Sequence, residues 1–177
     1  MAFVVLLRGI NVGGHRRFRP ATLAGQLRHL NAINIGATGT LVIRQRVSRT
    51  QLRAEVARRL PFEAEIMICQ GREIVRLLSQ DYFADHPVRP DLVRFVSVLA
   101  RLPRSAPRLP MNLPARGQWL LKVLARDRRF VIGLYRRHMK VISHLGRLDR
   151  LFGVPVTTRS WSTITAIARV LDSGVTS

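Results

Sequence analysis

The sequence has one cysteine, Cys69, and no long apolar run. A single cysteine excludes an intramolecular disulfide, and its place at the end of the apolar stretch 64–69 predicts a small buried side chain rather than a nucleophile. The first apolar run, Phe3–Leu7, has no basic residue before it and is too short for the core of a signal peptide or for a membrane span. We therefore expect a cytoplasmic protein with no membrane partner.

Acidic residues are scarce, since 10 Asp and Glu stand against 30 Lys and Arg and leave a net charge of +20. Lysine is scarce too: only Lys122 and Lys140 are lysines, and the other 28 basic residues are arginines. A GC-rich genome can favour arginine over lysine, but it does not explain the shortage of acids. The surplus charge predicts a polyanionic partner such as nucleic acid or a phosphorylated ligand, with a solvated basic surface as the alternative.

Signatures of metal binding and catalysis are also missing. The sequence has no G-x-S-x-G motif, and its acids are too few and too scattered to nominate a catalytic pair. None of the five histidines stands at metal-ligand spacing: His15, His29, His86, His138 and His144. We therefore predict no metal and no cofactor, we can name no catalytic residue, and whether the protein is an enzyme stays open.

Apolar periodicity predicts alternating strands and helices in the first half of the chain. Short β-rich runs predict strands at residues 2–7, 40–43 and 64–69. Apolar residues at helical spacing predict helices that begin at Pro20, at a cap on Thr50, and at Arg72. Two prolines within residues 85–90 break this pattern, so we predict two halves, residues 1–86 and residues 91–177.

The second half is predicted to contain a strand, a basic hairpin and a terminal helix. A strand at 93–99 is followed by a proline-rich surface connection at 102–114. The hairpin pairs residues 119–124 with residues 129–135, and the last helix covers residues 160–171.

A glycine-rich loop, GINVGG at residues 9–14, follows the first strand. Glycine lets backbone N–H groups approach an anion closely, but this spacing matches neither a Walker loop nor a dinucleotide-binding loop. A plain turn is the simpler interpretation. The basic residues around the loop favour an anion: Arg8, His15, Arg16, Arg17 and Arg19.

Hydroxyl side chains and Arg159 stand where the last helix is expected to begin, in VPVTTRSWST at residues 154–163. The unpaired N–H groups of a helix N-terminus favour an anion. The alternative is that Thr158 or Ser160 caps the helix while Trp161 anchors it in the core.

These two stretches, LLRGINVGG at 6–14 and GVPVTTRSWSTI at 153–164, resemble the family catalogued as domain of unknown function 1697. The resemblance runs over nearly the whole chain. It implies an α+β fold of two ferredoxin-like halves, with mixed or antiparallel sheets and helices on one face, in a bacterial cytoplasmic protein. It implies no established activity.

The chain departs from the family's pattern at three places. Ser160 replaces an asparagine before the tryptophan, Thr38-Gly39-Thr40 replaces a Ser-Gly-Asn element, and His15-Arg16-Arg17 stands where Lys and Asn are usual. Ser and Thr cannot copy the paired donor and acceptor of an asparagine, so any chemistry at those positions would be weakened here.

The two end motifs suggest one shared anion-binding recess, which is our first candidate site. A small phosphorylated metabolite would bind there, as substrate or as ligand. The candidate residues are Arg8, Gly9, Asn11, Gly13, Gly14, Thr158, Arg159 and Thr163.

The leading hypothesis is a nucleic-acid or other polyanion-binding module that uses the opening loop and the hairpin as a basic face. Phe130 and Tyr135 are five residues apart, so on a strand they point to opposite faces and form no stacking platform. We therefore expect phosphate contacts with weak sequence preference, in a monomer or a homodimer. The candidate residues are Arg16, Arg17, Arg128, Arg129, Arg136 and Arg137.

Overall fold

Residues 1–10 and 17–174 are described by a computed structural model. They form a four-stranded and a five-stranded sheet, with helices, and every strand pairing is antiparallel. This confirms the α+β class, while the ferredoxin-like character of the two halves stays a prediction. Among the described residues, none of the helices has the length and apolar character that a bilayer crossing needs.

The chain forms two compact units. Unit 1 contains Met1–Ser79 and the described residues from Ser162 onward, and unit 2 contains Gln80–Trp161. The last helix, which we expected in the second half, therefore contributes most of its residues to unit 1. The division into halves at 1–86 and 91–177 stays a prediction.

The elements of unit 1 are β1 (Phe3–Arg8), α1 (Pro20–Gln26), β2 (Ala32–Ile35), β3 (Thr40–Ile43), α2 (Arg49–Arg59), β4 (Glu65–Gln70), α3 (Gly71–Leu78) and, from Ser162, α6 (Trp161–Asp172). Its sheet has the strand order β2-β3-β1-β4.

The middle of this sheet explains the apolar opening of the sequence. β1 lies between β3 and β4, and Phe3–Leu7 are buried on both faces of the strand. Cys69 is fully buried in β4, which confirms that it is a core residue. Short β2 was not predicted, because a stretch of only four residues carries little periodic signal; in the structure all four are partly buried.

The cap of α2 differs from the sequence prediction. The N-cap is Ser48, whose Oγ accepts a hydrogen bond from the Gln51 backbone N–H at 3.1 Å. The Gln51 side chain accepts in turn from the Ser48 backbone N–H at 3.2 Å, which completes a capping box. The predicted cap, Thr50, lies in the first turn of the helix, so that prediction was wrong.

The elements of unit 2 are β5 (Leu92–Leu99), β6 (Met111–Leu113), β7 (Leu121–Asp127), β8 (Phe130–Arg136), α4 (Val141–Gly146), α5 (Leu148–Phe152) and β9 (Val156–Ser160). Its sheet has the strand order β6-β7-β8-β5-β9. The core of the unit contains apolar side chains from these strands and from the two short helices.

Two features of unit 2 bear directly on the candidate sites. The predicted basic hairpin is present as β7 and β8, and Arg128 in its turn has a φ of 53°. The polar residues expected to precede the last helix instead form β9, which pairs with β5, and α6 begins directly at Trp161. Residues that we interpreted as a loop are therefore held in a sheet.

Candidate nucleic-acid interface

The end of β5 is hydrogen-bonded to the hairpin turn on one side and to the segment before β9 on the other. The Leu99 N–H donates to the carbonyl oxygen of Arg129 at 2.8 Å, and the Ala100 N–H donates to the carbonyl oxygen of Pro155 at 2.9 Å. Arg101 follows directly, and consecutive residues of an extended chain are only about 3.4 Å apart. Arg101 therefore leaves the sheet beside both of these segments.

Five arginines lie at this end of the sheet, and we call them the basic end. They come from the segment after β5 and from the end of β7 with the hairpin turn. The basic end consists of Arg101, Arg104, Arg126, Arg128 and Arg129.

Most guanidinium groups of the basic end are open to solvent. Arg101, Arg104, Arg126 and Arg128 are exposed, and Arg129 is partly buried. Within the described part of the chain, no hydrogen bond, ion pair or ring contact engages the side chains of Arg101, Arg104 and Arg128. The Arg126 guanidinium donates to the Arg128 carbonyl oxygen at 2.8 Å. The guanidinium groups of Arg101, Arg104 and Arg128 can therefore bind an external anion without first breaking an ion pair.

The one acidic residue within residues 126–129 is Asp127, the last residue of β7. Its Oδ2 lies 3.5 Å from the hydroxyl oxygen of Tyr82. The basic end and Asp127 together carry five positive charges and one negative charge, so positive charge dominates here and makes a phosphate contact electrostatically favourable.

A cleft of about 430 Å³ lies next to the basic end, between the segment after β5 and the segment after α5. Gly153, one of its lining residues, ends α5 with a φ of 67°, a conformation that favours glycine. The lining residues are Arg101, Leu102, Arg104, Ser105, Phe152, Gly153 and Val154.

The other end of the hairpin carries two arginines that are held by protein groups. Arg136 Nε donates to the Trp119 carbonyl oxygen at 2.8 Å, its guanidinium lies 4.3 Å from the centroid of the Trp119 ring, and its Nη1 lies 3.4 Å from Asp91 Oδ2. Arg137 Nε donates to the Pro90 carbonyl oxygen at 2.9 Å. Strand β8 separates these arginines from the hairpin turn by about 24 Å, at about 3.4 Å per residue.

The arginine of the closing motif is buried in unit 2. Arg159 is 5% exposed, and its Nη1 donates to Thr157 Oγ1 at 2.8 Å and to the Thr158 carbonyl oxygen at 2.9 Å. Burial lowers the pKa of its guanidinium to about 10, so the group stays charged at neutral pH. The Thr158 hydroxyl lies 2.6 Å from the hydroxyl of Ser97, its partner in β5. Both predicted anion-binding residues thus make contacts within the sheet.

The opening motif is described only in part. Arg8 ends β1 opposite Glu65 of β4, and Gly9 follows with a φ of 75°, which favours glycine. Thr163 lies in α6, in unit 1, and Arg17 is exposed. That the two end motifs form one recess stays a prediction. Four of the predicted residues lie outside the described part: Asn11, Gly13, Gly14 and Arg16.

We did not predict Arg101, Arg104 or Ser105 as site residues, because Arg101 directly precedes the proline-rich connection and the other two lie in it, and the connection was interpreted only as surface. A signal was present: residues 101–108, RLPRSAPR, contain three arginines and no acid. The described residues contain no group of three or more His, Cys, Asp or Glu side chains that could hold a metal ion.

Comparisons with known proteins identify the family and support the fold. The family described as "Protein of unknown function (DUF1697)" matches residues 1–109, more than half of the chain. The solved structure of the conserved bacterial protein SP0830 from Streptococcus pneumoniae matches 96% of this chain and 98% of its own, with a TM-score of 0.60 and 16% identity. That similarity shows the fold alone, and comparison with curated proteins gives no match. The chain belongs to the DUF1697 family of proteins of unknown function, as its two end motifs predicted.

Proposed function

We propose that this protein binds nucleic acid through the phosphate backbone, at the basic end of unit 2. The observation that carries the proposal is the hydrogen bond from the Leu99 N–H to the Arg129 carbonyl oxygen, since it joins the hairpin turn to the segment that carries Arg101 and Arg104. Each segment alone contains at most three closely spaced arginines. Joined, they make one surface that can contact several phosphates.

Positive charge supports this proposal both at long range and at direct contact. The net charge of +20 attracts a polyanion from afar and raises the rate of association. At contact, a guanidinium can donate two parallel hydrogen bonds to one phosphate. Arg101, Arg104 and Arg128 can do this at no cost in protein contacts among the described residues. In the cytoplasm, the compartment we expect, nucleic acid is accessible.

The aromatic residues of the hairpin support backbone contacts over base stacking. Phe130 is 3% exposed, and the ring of partly buried Tyr135 lies 5.7 Å from that of Phe95, centroid to centroid. Rings packed in this way are not available as a platform for unpaired bases. We therefore expect weak dependence on base sequence and strong dependence on salt.

The test is a fluorescence anisotropy titration of labelled single-stranded and duplex oligonucleotides at several salt concentrations. Because each phosphate contact releases counterions, the affinity should fall by orders of magnitude between about 50 and 200 mM salt. Absence of binding at the lowest salt would contradict the proposal. Thermal stabilisation by a phosphorylated metabolite, without any binding of oligonucleotides, would favour the alternative of a small-ligand protein or an enzyme.

A further inference from the structure

We infer that the cleft beside the basic end binds the phosphomonoester group of a nucleotide, either at the end of a nucleic-acid chain or free. This inference deepens the proposed function and rests on it for the first of these two sources. It concerns a discrete site for one phosphate group, whereas the basic end as a whole is a surface for many.

The charge of the cleft fits a phosphomonoester. Arg101 and Arg104 line it together with the hydroxyl of Ser105, and no lining residue is acidic. Within the described residues, none of these three side chains has a hydrogen bond or an ion pair. A phosphomonoester carries a charge of about −1.5 to −2 at pH 7, whereas an internal phosphodiester carries about −1. Two guanidinium groups in the lining of one cleft therefore favour the terminal group over the internal one.

The apolar part of the cleft fits the rest of a nucleotide better than it fits inorganic phosphate. Leu102, which is 62% exposed, lines the cleft together with Phe152 and Val154. A bound inorganic phosphate would leave Leu102 in water, while a ribose or base could cover it. The volume of about 430 Å³ lies within the range of small-ligand sites.

Gly153 contributes no side chain to the wall of the cleft. A Cβ atom at this position would have no heavy atom within 4 Å, so the space beside it is open. Its φ of 67° lies in the left-handed region, which asparagine and aspartate tolerate better than other side chains do. Gly153→Asp therefore adds a carboxylate at the cleft wall, and Gly153→Asn is the matched neutral control.

The position of the cleft fits the end of a longer chain. Arg101 belongs both to the cleft lining and to the basic end, which continues to Arg126 and Arg128 in the hairpin. A nucleic-acid strand whose terminal phosphate occupies the cleft could place its next phosphates on the hairpin arginines.

The experiment compares one labelled oligonucleotide with a 5′-phosphate, a 3′-phosphate or hydroxyls at both ends, and adds a thermal-shift arm with a nucleoside monophosphate. We expect one terminal phosphate to improve affinity by about 10-fold, as for a new charge-assisted contact. Arg101→Gln/Arg104→Gln and Gly153→Asp should abolish that difference. Arg46→Gln/Arg72→Gln, which removes equal charge from exposed residues of unit 1, and Gly153→Asn should retain it.

The outcomes separate this inference from the proposed function. Equal binding of all three oligonucleotides, with no shift by the nucleoside monophosphate, overturns the cleft and leaves the nucleic-acid proposal standing. A shift by the nucleoside monophosphate that is lost in Arg101→Gln/Arg104→Gln, with no oligonucleotide bound, supports the cleft and contradicts the nucleic-acid proposal. Absence of all binding overturns both.

Discussion

The backbone N–H of Leu99 donates to the carbonyl oxygen of Arg129 at 2.8 Å, and this bond fixes the hairpin turn against the end of β5. These two residues are far apart in sequence. Their pairing continues the β5–β8 ladder, in which Val98 faces Phe130. The antiparallel register of the central strands therefore decides which arginines share a surface.

Arginines at the two ends of the hairpin should behave differently. Arg128→Gln removes an exposed charge, so we expect unchanged stability and a salt slope for duplex binding that is smaller by about 0.9. Arg136→Gln removes the contacts with Trp119 and Asp91, so we expect a loss of about 1 kcal/mol in the free energy of unfolding and an unchanged slope. Urea unfolding and anisotropy titrations measure the two quantities. A smaller slope for Arg136→Gln would place nucleic acid at the other end of β8.

Tyr135 should reduce the stability of the protein at alkaline pH. Burial raises the pKa of its hydroxyl, and the charge of Arg137 opposes this more weakly. The pKa of this hydroxyl in the folded protein therefore lies above the unfolded value of about 10. The contribution of the neutral hydroxyl to the free energy of unfolding is fully present below pH 10 and is lost as pH rises through the folded pKa. Urea unfolding from pH 8 to about pH 11 should therefore show a smaller decline for Tyr135→Phe than for the wild type. Parallel declines would contradict the assignment.

Gly133 in β8 should tolerate no side chain. A Cβ atom there would lie 2.2 Å from the Lys122 carbonyl oxygen and 2.7 Å from the ring of fully buried Phe95. We expect Gly133→Ala to lower the free energy of unfolding by about 3 kcal/mol or more. Gly146, the last residue of α4, has nothing within 4 Å of its Cβ position, so Gly146→Ala should be neutral or stabilising by up to about 1 kcal/mol. If urea unfolding showed the same change in unfolding free energy for both substitutions, the close packing around Gly133 in β8 would be contradicted.

The N-cap of α2 gives a further test. Ser48→Ala removes the acceptor for the Gln51 N–H and should cost about 1 kcal/mol of unfolding free energy. Thr50→Ala, two residues along, should change it by less than about 0.5 kcal/mol. A larger loss of unfolding free energy for Thr50→Ala than for Ser48→Ala would support Thr50 as the N-cap, as the sequence predicted.

Elements with a strong local pattern could be predicted from the sequence, and elements defined by pairing could not. β5, the hairpin and α6 were found because their apolar residues repeat at the period of the element. β9, with the sequence VTTRS, has one aliphatic residue and is a strand only because β5 pairs with it. Residues around Thr158 and Arg159 were therefore expected in a loop, open to a ligand.

The candidate site was only half predictable for the same reason. Arg128 and Arg129 stood out in a basic hairpin, but nothing local joins them to Arg101 and Arg104, which follow another strand. The involvement of Arg136 with Trp119 depends on a contact across 17 residues, which composition cannot show. Charge predicts the class of partner that we propose, and the register of the strands decides which arginines share the proposed surface.

The most direct test of the central claim compares the salt dependence of duplex binding in two charge-matched variants. Arg101→Gln/Arg104→Gln/Arg128→Gln removes three charges from the basic end. Arg28→Gln/Arg46→Gln/Arg72→Gln removes three from exposed residues of unit 1 whose side chains have no partner among the described residues. We predict that the slope of log affinity against log salt becomes smaller by about 2 to 3 in the first variant and stays at the wild-type value in the second. Equal slopes in the two variants would contradict the assignment of nucleic-acid binding to the basic end.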